Sequence, residues 1–224
     1  IFGLLGPNGS GKSTLMRILA GLIKTWDGNI SITGENYSSS TQDYINKLGF
    51  LIAAPSFYEY LSAIENLKIL SRLTNINNNK IKEALDVVNL TDRAYDKVKT
   101  FSYGMKQRLG LAQCLLHDPE MLILDEPNNG LDPSGIREMS KIINNLHNNG
   151  KTICVSTQIL SEVDTLCTHA AILKKGKHIA TVKLDDDYHA DTTYLLTVDN
   201  ASSCFRILST DKDFDLKLVD DNSL

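Results

Sequence analysis

Nowhere does the sequence stay apolar for the roughly 18 to 20 residues that a membrane-crossing helix needs, and no basic start with an apolar centre marks a signal peptide. The chain is therefore expected not to span a membrane itself. Positive charge is not in excess either: 23 Lys and Arg stand against 27 Asp and Glu, a formal charge of −4. That balance leaves no basic footprint, so no direct nucleic-acid partner is expected. Cysteine is scarce, and Cys114, Cys154, Cys167 and Cys204 form neither a CxxC pair nor a zinc framework. They read as reduced, mostly buried thiols of a cytoplasmic protein. The five histidines, His117, His147, His169, His178 and His189, form no HExxH pattern. Internal repeats are missing as well, and an initiator methionine is absent, so a preceding piece is expected before Ile1. With 224 residues the chain can bury a full core as one domain or two small ones.

What is present is concentrated at the start. Gly6-Pro7-Asn8-Gly9-Ser10-Gly11-Lys12-Ser13-Thr14 lies between an apolar strand, Ile1 to Leu5, and a run of Leu15, Ile18, Leu19, Leu22 and Ile23 at helical spacing. Glycines at this turn let the backbone approach a ligand and aim successive N–H groups into one concavity. The helix start adds its dipole, Lys12 reaches the β- and γ-phosphates as a point charge, and the Ser13 hydroxyl suits Mg²⁺. The pattern predicts a nucleotide-binding phosphate loop.

Further along, Asn29 to Thr33 and Gly34-Glu35-Asn36 suggest a small antiparallel β element after the turn Trp26-Asp27-Gly28. Ser62-Ala63-Ile64-Glu65 is a capping box opening a helix, and Ile81 to Val88 predicts a second one after an asparagine-rich break. Ser102 is the expected N-cap of a third, running through about Leu116 to Asp118-Pro119. Met121 to Leu124 and Thr152 to Ser156 read as buried parallel strands, separated by a helix over Ile136 to Leu146 that Gly150 stops. Ala171 to Leu173 and His178 to Val182 predict a strand, turn and strand. The alternation predicts an α/β fold of the P-loop NTPase type, with a mainly parallel sheet and a helical insert over about 53–116. Residues 1–184 are expected to form this domain. Asp185-Asp186-Asp187 begins a linker to a small C-terminal accessory segment, 185–224, with strands near Tyr194 to Val198 and Phe214 to Val219.

Met121-Leu122-Ile123-Leu124-Asp125-Glu126-Pro127 puts two carboxylates at the end of a buried strand, where ligand sites of parallel sheets lie. Asp125 suits the Mg²⁺ shell, and Glu126 suits the polarisation of a water for attack on the γ-phosphate.

With these motifs the chain resembles the nucleotide-binding domains of ABC transporters over about residues 1–184. Phe101-Ser102-Tyr103-Gly104-Met105-Lys106-Gln107-Arg108 looks like the family's signature motif, and Gly130-Leu131-Asp132-Pro133 like the loop that touches a second protomer. The finer resemblance, carried by Leu51 to Tyr58, Phe101 to Leu109 and Asn129 to Pro133, is to ATP-binding subunits of bacitracin-resistance and lantibiotic-immunity exporters. It implies a homodimer that closes head to tail on two ATP molecules, joining Lys12 of one chain to Ser102, Tyr103, Gly104 and Met105 of the other. The helical insert is expected to hold that signature away from its own phosphate loop. The resemblance also implies a separate transmembrane permease as partner, docked near the insert on the inner face of the membrane, ATP hydrolysis coupled to transport, and export of an antimicrobial peptide or drug.

Four positions depart from the family pattern. Ala53 stands where the family has glutamine or glutamate, and a methyl group neither ligates Mg²⁺ nor orients water. Gln158 stands where the family has its switch histidine and cannot carry charge, although it can still donate to the γ-phosphate. Losing one preorganised donor costs on the order of a hundredfold in rate, so attenuated turnover is expected. Tyr103 replaces a signature glycine, and Asn128 replaces a threonine. Two functions stay open on these residues: a transporter ATPase with Glu126 as base and Gln158 as γ-phosphate sensor, and a nucleotide-gated regulatory module with little hydrolysis. A non-transport ABC protein acting on DNA or ribosomes would need a long coiled-coil insert, tandem domains or a basic surface, and none is visible.

Overall fold

The computed structural model describes residues 1–32, 34–37, 43–74 and 76–184. Its centre is a six-stranded sheet ordered β4-β5-β6-β1-β7-β8. The strands are β1 (Phe2–Leu5), β4 (Leu48–Leu51), β5 (Met121–Asp125), β6 (Thr152–Thr157), β7 (His169–Lys174) and β8 (Lys177–Lys183). The first five run parallel, and β8 returns antiparallel to β7. A separate hairpin pairs β2 (Ile30–Ile32) with β3 (Glu35–Tyr37).

Parallel strands need crossovers, and the helices that supply them cover both faces of the sheet. Alternation along β5 and β6 makes this visible. Leu122, Leu124, Ile153 and Val155 belong to one apolar cluster, whereas Ile123 and Cys154 belong to another with Leu4, Met16 and Tyr44. Successive side chains on a strand point to opposite faces, so two cores form from one short run. Met16 comes from α1 (Lys12–Leu19), and Met139, Ile142, Ile143 and Leu146 come from α5 (Pro133–Asn148). Gly150, at φ 90°, sits beyond the end of α5, as its place in the sequence predicts.

Between β4 and β5 lie α2 (Ala63–Leu73), α3 (Asn78–Val87) and α4 (Tyr103–Leu115), which form the helical insert. The capping box is complete: Ser62 Oγ accepts from the Glu65 N–H, and the Glu65 carboxylate accepts from the Ser62 N–H at 2.7 Å. The Ser62 hydroxyl also donates to Glu65 Oε2 at 2.7 Å, and this bond first, then the one from the Ser62 N–H, holds the Glu65 carboxyl below its ordinary range. Helix α3 starts earlier than the sequence pattern predicts, because Asn77 acts as N-cap and accepts from the Asn79 N–H at 3.0 Å. Arg108 of α4 ties the insert to the rest, donating to the Val88 carbonyl at 2.9 Å and pairing with Glu138 of α5 at 2.8 Å.

β4 and α6 (Leu160–Leu166) are elements the sequence pattern does not announce. β4 contains Gly49, whose place is fixed by close approach: a Cβ there would sit 2.7 Å from the Cys114 carbonyl oxygen. A backbone oxygen cannot swing aside. Gly49→Ala is therefore expected to destabilise the protein by about 1–3 kcal/mol, read as a lower urea midpoint; an unchanged midpoint would contradict this packing.

Among the described residues no helix is long and apolar enough to cross a membrane. Cys114 and Cys167 are buried, Cys154 is half-buried, and all three are free. Burial pushes the Cys114 and Cys154 thiols up to about 12 and Cys167 to about 11, so they stay protonated at neutral pH. Cys204, His189 and the predicted C-terminal linker and strands lie outside the described residues.

Candidate functional site

The phosphate loop follows β1 and leads into α1, as predicted. Gly6 is required by space, since a Cβ would fall 2.4 Å from the Leu173 carbonyl oxygen and 2.6 Å from Ser10 Oγ. Gly9 and Gly11 sit at φ 76° and 106°, where only glycine is unstrained. Pro7, Asn8 and Gly9 are exposed at the tip, while Ser10 is buried and its carbonyl accepts from the Gly176 N–H at 2.8 Å. The loop is thereby anchored to the β7–β8 turn.

Helix α1 has no side-chain cap at its start, so its leading N–H groups and dipole face the loop. Lys12 is buried at 4% exposure. Its ammonium donates to the Gly6 carbonyl at 2.6 Å and the Pro7 carbonyl at 3.4 Å, and it lies 3.5 Å from Glu126 Oε1. Ser13 is half-buried and Thr14 is exposed.

Asp125 ends β5, and Glu126 follows in a left-handed conformation, φ 48°, uncommon for a residue with a side chain. One fully buried hydroxyl organises both: Ser156 Oγ donates to Asp125 Oδ1 at 2.5 Å and accepts from the Glu126 N–H at 2.9 Å. Asn129 Nδ2 donates to Glu126 Oε2 at 3.3 Å. Glu126 is thus held by Lys12 on one oxygen and Asn129 on the other. Ser156 and Asn129 are contributors that sequence reasoning missed; a serine at the end of a buried strand next to Thr157 was the available signal.

These groups converge. A cleft of about 210 Å³ is lined by Asn8, Ser13, Ala53, Ala54, Tyr103, Gln107, Asp125, Glu126 and Asn129. It lies at the carboxyl ends of parallel strands, where open sheets bind ligands. Ala53 contributes a methyl group and adopts φ 63°. Gln158, one residue beyond β6, is exposed and is not among the residues lining the cleft.

Ser102 caps α4, its hydroxyl accepting from the Met105 N–H at 3.3 Å. The expectation that the helical insert holds the signature clear of its own phosphate loop needs correction at one residue. Tyr103 lines the cleft together with Ser13 of the same chain, because a tyrosine reaches where the family's glycine would end at Cα. Ser102, Gly104 and Met105 do not line it. In the predicted dimer loop, Gly130 sits at φ 77°, Leu131 packs against the core, and Asp132 caps α5 by accepting from the Gly135 N–H at 3.1 Å. Its bond from Ser134 is the main reason the Asp132 carboxyl lies below its ordinary range.

A glycine-rich loop opening a helix, a buried lysine and two strand-end carboxylates on one cleft define a P-loop nucleotide-binding domain of the α/β class. The family described as ABC transporter matches residues 1–129, and the chain belongs to that family. It is 44% identical to the bacitracin transport ATP-binding protein BcrA of Bacillus licheniformis, over 87% of this chain and 64% of that one. It therefore spans less than two thirds of that relative's length. It is 41% identical to the lantibiotic transport ATP-binding protein SrtF of Streptococcus pyogenes, over 83% of this chain and 80% of that one. A solved structure described as the ATP-binding subunit of an ABC transporter superposes with a TM-score of 0.69 at 30% identity, covering 83% of this chain and 79% of that one.

Proposed function

We propose that this chain hydrolyses MgATP as the motor subunit of a bacterial ABC exporter, and the observation that carries the reading is the convergence of Ser13, Asp125 and Glu126 on one cleft, with Lys12 paired to Glu126. Lys12 holds the β- and γ-phosphates with the loop N–H groups. Ser13 and Asp125 offer hard oxygen donors to Mg²⁺. Among the described residues no three His, Cys, Asp or Glu cluster as a metal cage, which fits an ion that keeps its waters and takes one or two protein oxygens plus phosphate. When bound, Mg²⁺ neutralises charge on the phosphates. Glu126 accepts the proton of the attacking water, and Gln158 acts as a weakened γ-phosphate sensor.

Two such subunits close on two ATP molecules, each presenting Ser102, Gly104 and Met105 to the other's nucleotide and meeting through Gly130, Leu131 and Asp132, while the Tyr103 side chain stays in its own chain's cleft. A transmembrane permease docks near the helical insert, which places the subunit in the cytoplasm at the inner face of the membrane. The relatives' bacitracin and lantibiotic transport favours an antimicrobial peptide as cargo.

A regulatory module with little hydrolysis is the second reading, favoured by the Ala53 methyl in the cleft and the exposed Gln158. Phosphate release from MgATP by the full chain separates the two. The motor reading expects steady release that rises about tenfold or more in Gln158→His, since a charge-assisted donor is roughly twice as strong as a neutral one. ATP binding without release would leave the regulatory reading standing.

A further inference from the structure

Tyr103 and Gln107, one helical turn apart on α4, line the same cleft as Ser13, Asp125 and Glu126. The tyrosine ring rests against the chain's own Gly130, where a Cβ would come within 3.1 Å of Cε1. Gln107 Nε2 donates to the Tyr103 hydroxyl at 3.0 Å. Because the phenol oxygen accepts there, its own proton is free to be donated elsewhere, and the cleft it lines is rich in oxygen acceptors.

Gln107 is only 4% exposed, yet its Oε1 has no hydrogen-bond partner among the described residues. Leaving a buried acceptor unsatisfied costs about 1–3 kcal/mol, so an amide held this way is rarely there for packing alone. Ala53, on the same cleft, supplies no polar atom beyond its backbone and holds a left-handed φ of 63°.

We propose that Tyr103 is a further catalytic residue acting in cis, with Gln107 positioning it: its hydroxyl donates to the attacking water in its own chain's cleft and supplies a polar contact where Ala53 offers only a methyl group. The inference rests on the ATPase reading above. Glu126 takes the water's proton while the water oxygen bonds to the γ-phosphorus. The bond from that phosphorus to the β–γ bridging oxygen breaks, releasing ADP, and Tyr103 keeps its proton throughout.

The test compares the full chain with Tyr103→Phe, Ala53→Gln and the double variant, measuring kcat and KM for phosphate release and the Kd for MgATP. Tyr103→Phe removes one oxygen from a half-exposed ring but leaves the buried Gln107 Nε2 without that acceptor, a destabilising loss, so circular dichroism and the Kd for MgATP check that the variant is folded. We expect kcat to fall about tenfold or more with KM and Kd within about twofold, the pattern of a lost orienting group. Ala53→Gln is expected to restore much of that loss in the Tyr103→Phe background and to add little to the parent chain. Equal gains in both backgrounds, a kcat within twofold of the parent, or a loss confined to Kd would overturn the inference while the ATPase reading stood. A parent chain that binds MgATP but releases no phosphate would overturn both.

Discussion

Lys12→Ala is expected to abolish useful ATP binding, weakening the Kd for MgATP by at least about thirtyfold, the lower end of what truncating one member of a buried charge pair costs. The ammonium is held between the Gly6 and Pro7 carbonyls and Glu126. The two carbonyls fix its position in the loop, which limits the reorganisation needed to engage phosphate, although the Glu126 carboxylate competes with phosphate for it. Removing it also leaves Glu126 as an uncompensated negative charge facing incoming phosphates, and both effects act in the same direction. Lys12→Met keeps the aliphatic stem in its buried slot and separates charge from packing. Equilibrium titration with a fluorescent ATP analogue reads the result, and circular dichroism checks the fold. Affinity within twofold of the parent in both variants would remove the phosphate-loop assignment.

The architecture was legible where local chemistry is strong. Glycine spacing, the Ser62 and Ser102 caps, the all-apolar run at Met121 and the β-branched, largely apolar run at Thr152 each mark an element through the chemistry of a few neighbouring residues. β4 was not legible, because Leu48-Gly49-Phe50-Leu51 is too short to carry a period, and its glycine is explained by the Cys114 carbonyl and the Leu122 side chain far along the chain. Helix α6 begins at Leu160 without a side-chain cap and spans seven residues, so it leaves no boundary signal. The asparagines before α3 read as a break because asparagine favours turns and caps alike, and only the Asn77 side chain's bond to the Asn79 N–H decides between them.

At the candidate site, residue types were legible and their couplings were not. Lys12, Ser13, Asp125 and Glu126 follow from motifs, but the meeting of Ser13, Asp125 and Glu126 on one cleft, with Lys12 3.5 Å from Glu126, depends on β5, β6 and β1 lying side by side. Ser156 enters because its register opposite Asp125 brings its hydroxyl to that carboxylate. A serine at the end of a buried strand marks the residue, but its pairing with Asp125 is a property of the sheet register. The reach of Tyr103 is similar, since reading it as a replaced glycine described what was lost and missed what a phenol ring could touch.

Glu126→Gln is expected to lower phosphate release by about 10²- to 10⁴-fold, the range that a positioned general base contributes, while ATP affinity is kept or improved. The amide is nearly isosteric and can still accept from Asn129 through its carbonyl oxygen, and the left-handed backbone and the bond to Ser156 do not depend on the side-chain charge. What disappears is the proton acceptor and the ion pair to Lys12. The lysine is then wholly available to phosphate, and one negative charge is removed from the cleft. ATP that binds but is not cleaved should hold two subunits together, because the γ-phosphate contacts that bias the closed state persist. Light scattering with saturating MgATP is therefore expected to give twice the mass found with ADP. Release within about tenfold of the parent would take the base role from Glu126. Lost release in a variant that stays monomeric with MgATP would keep that role and reject closure on two shared nucleotides.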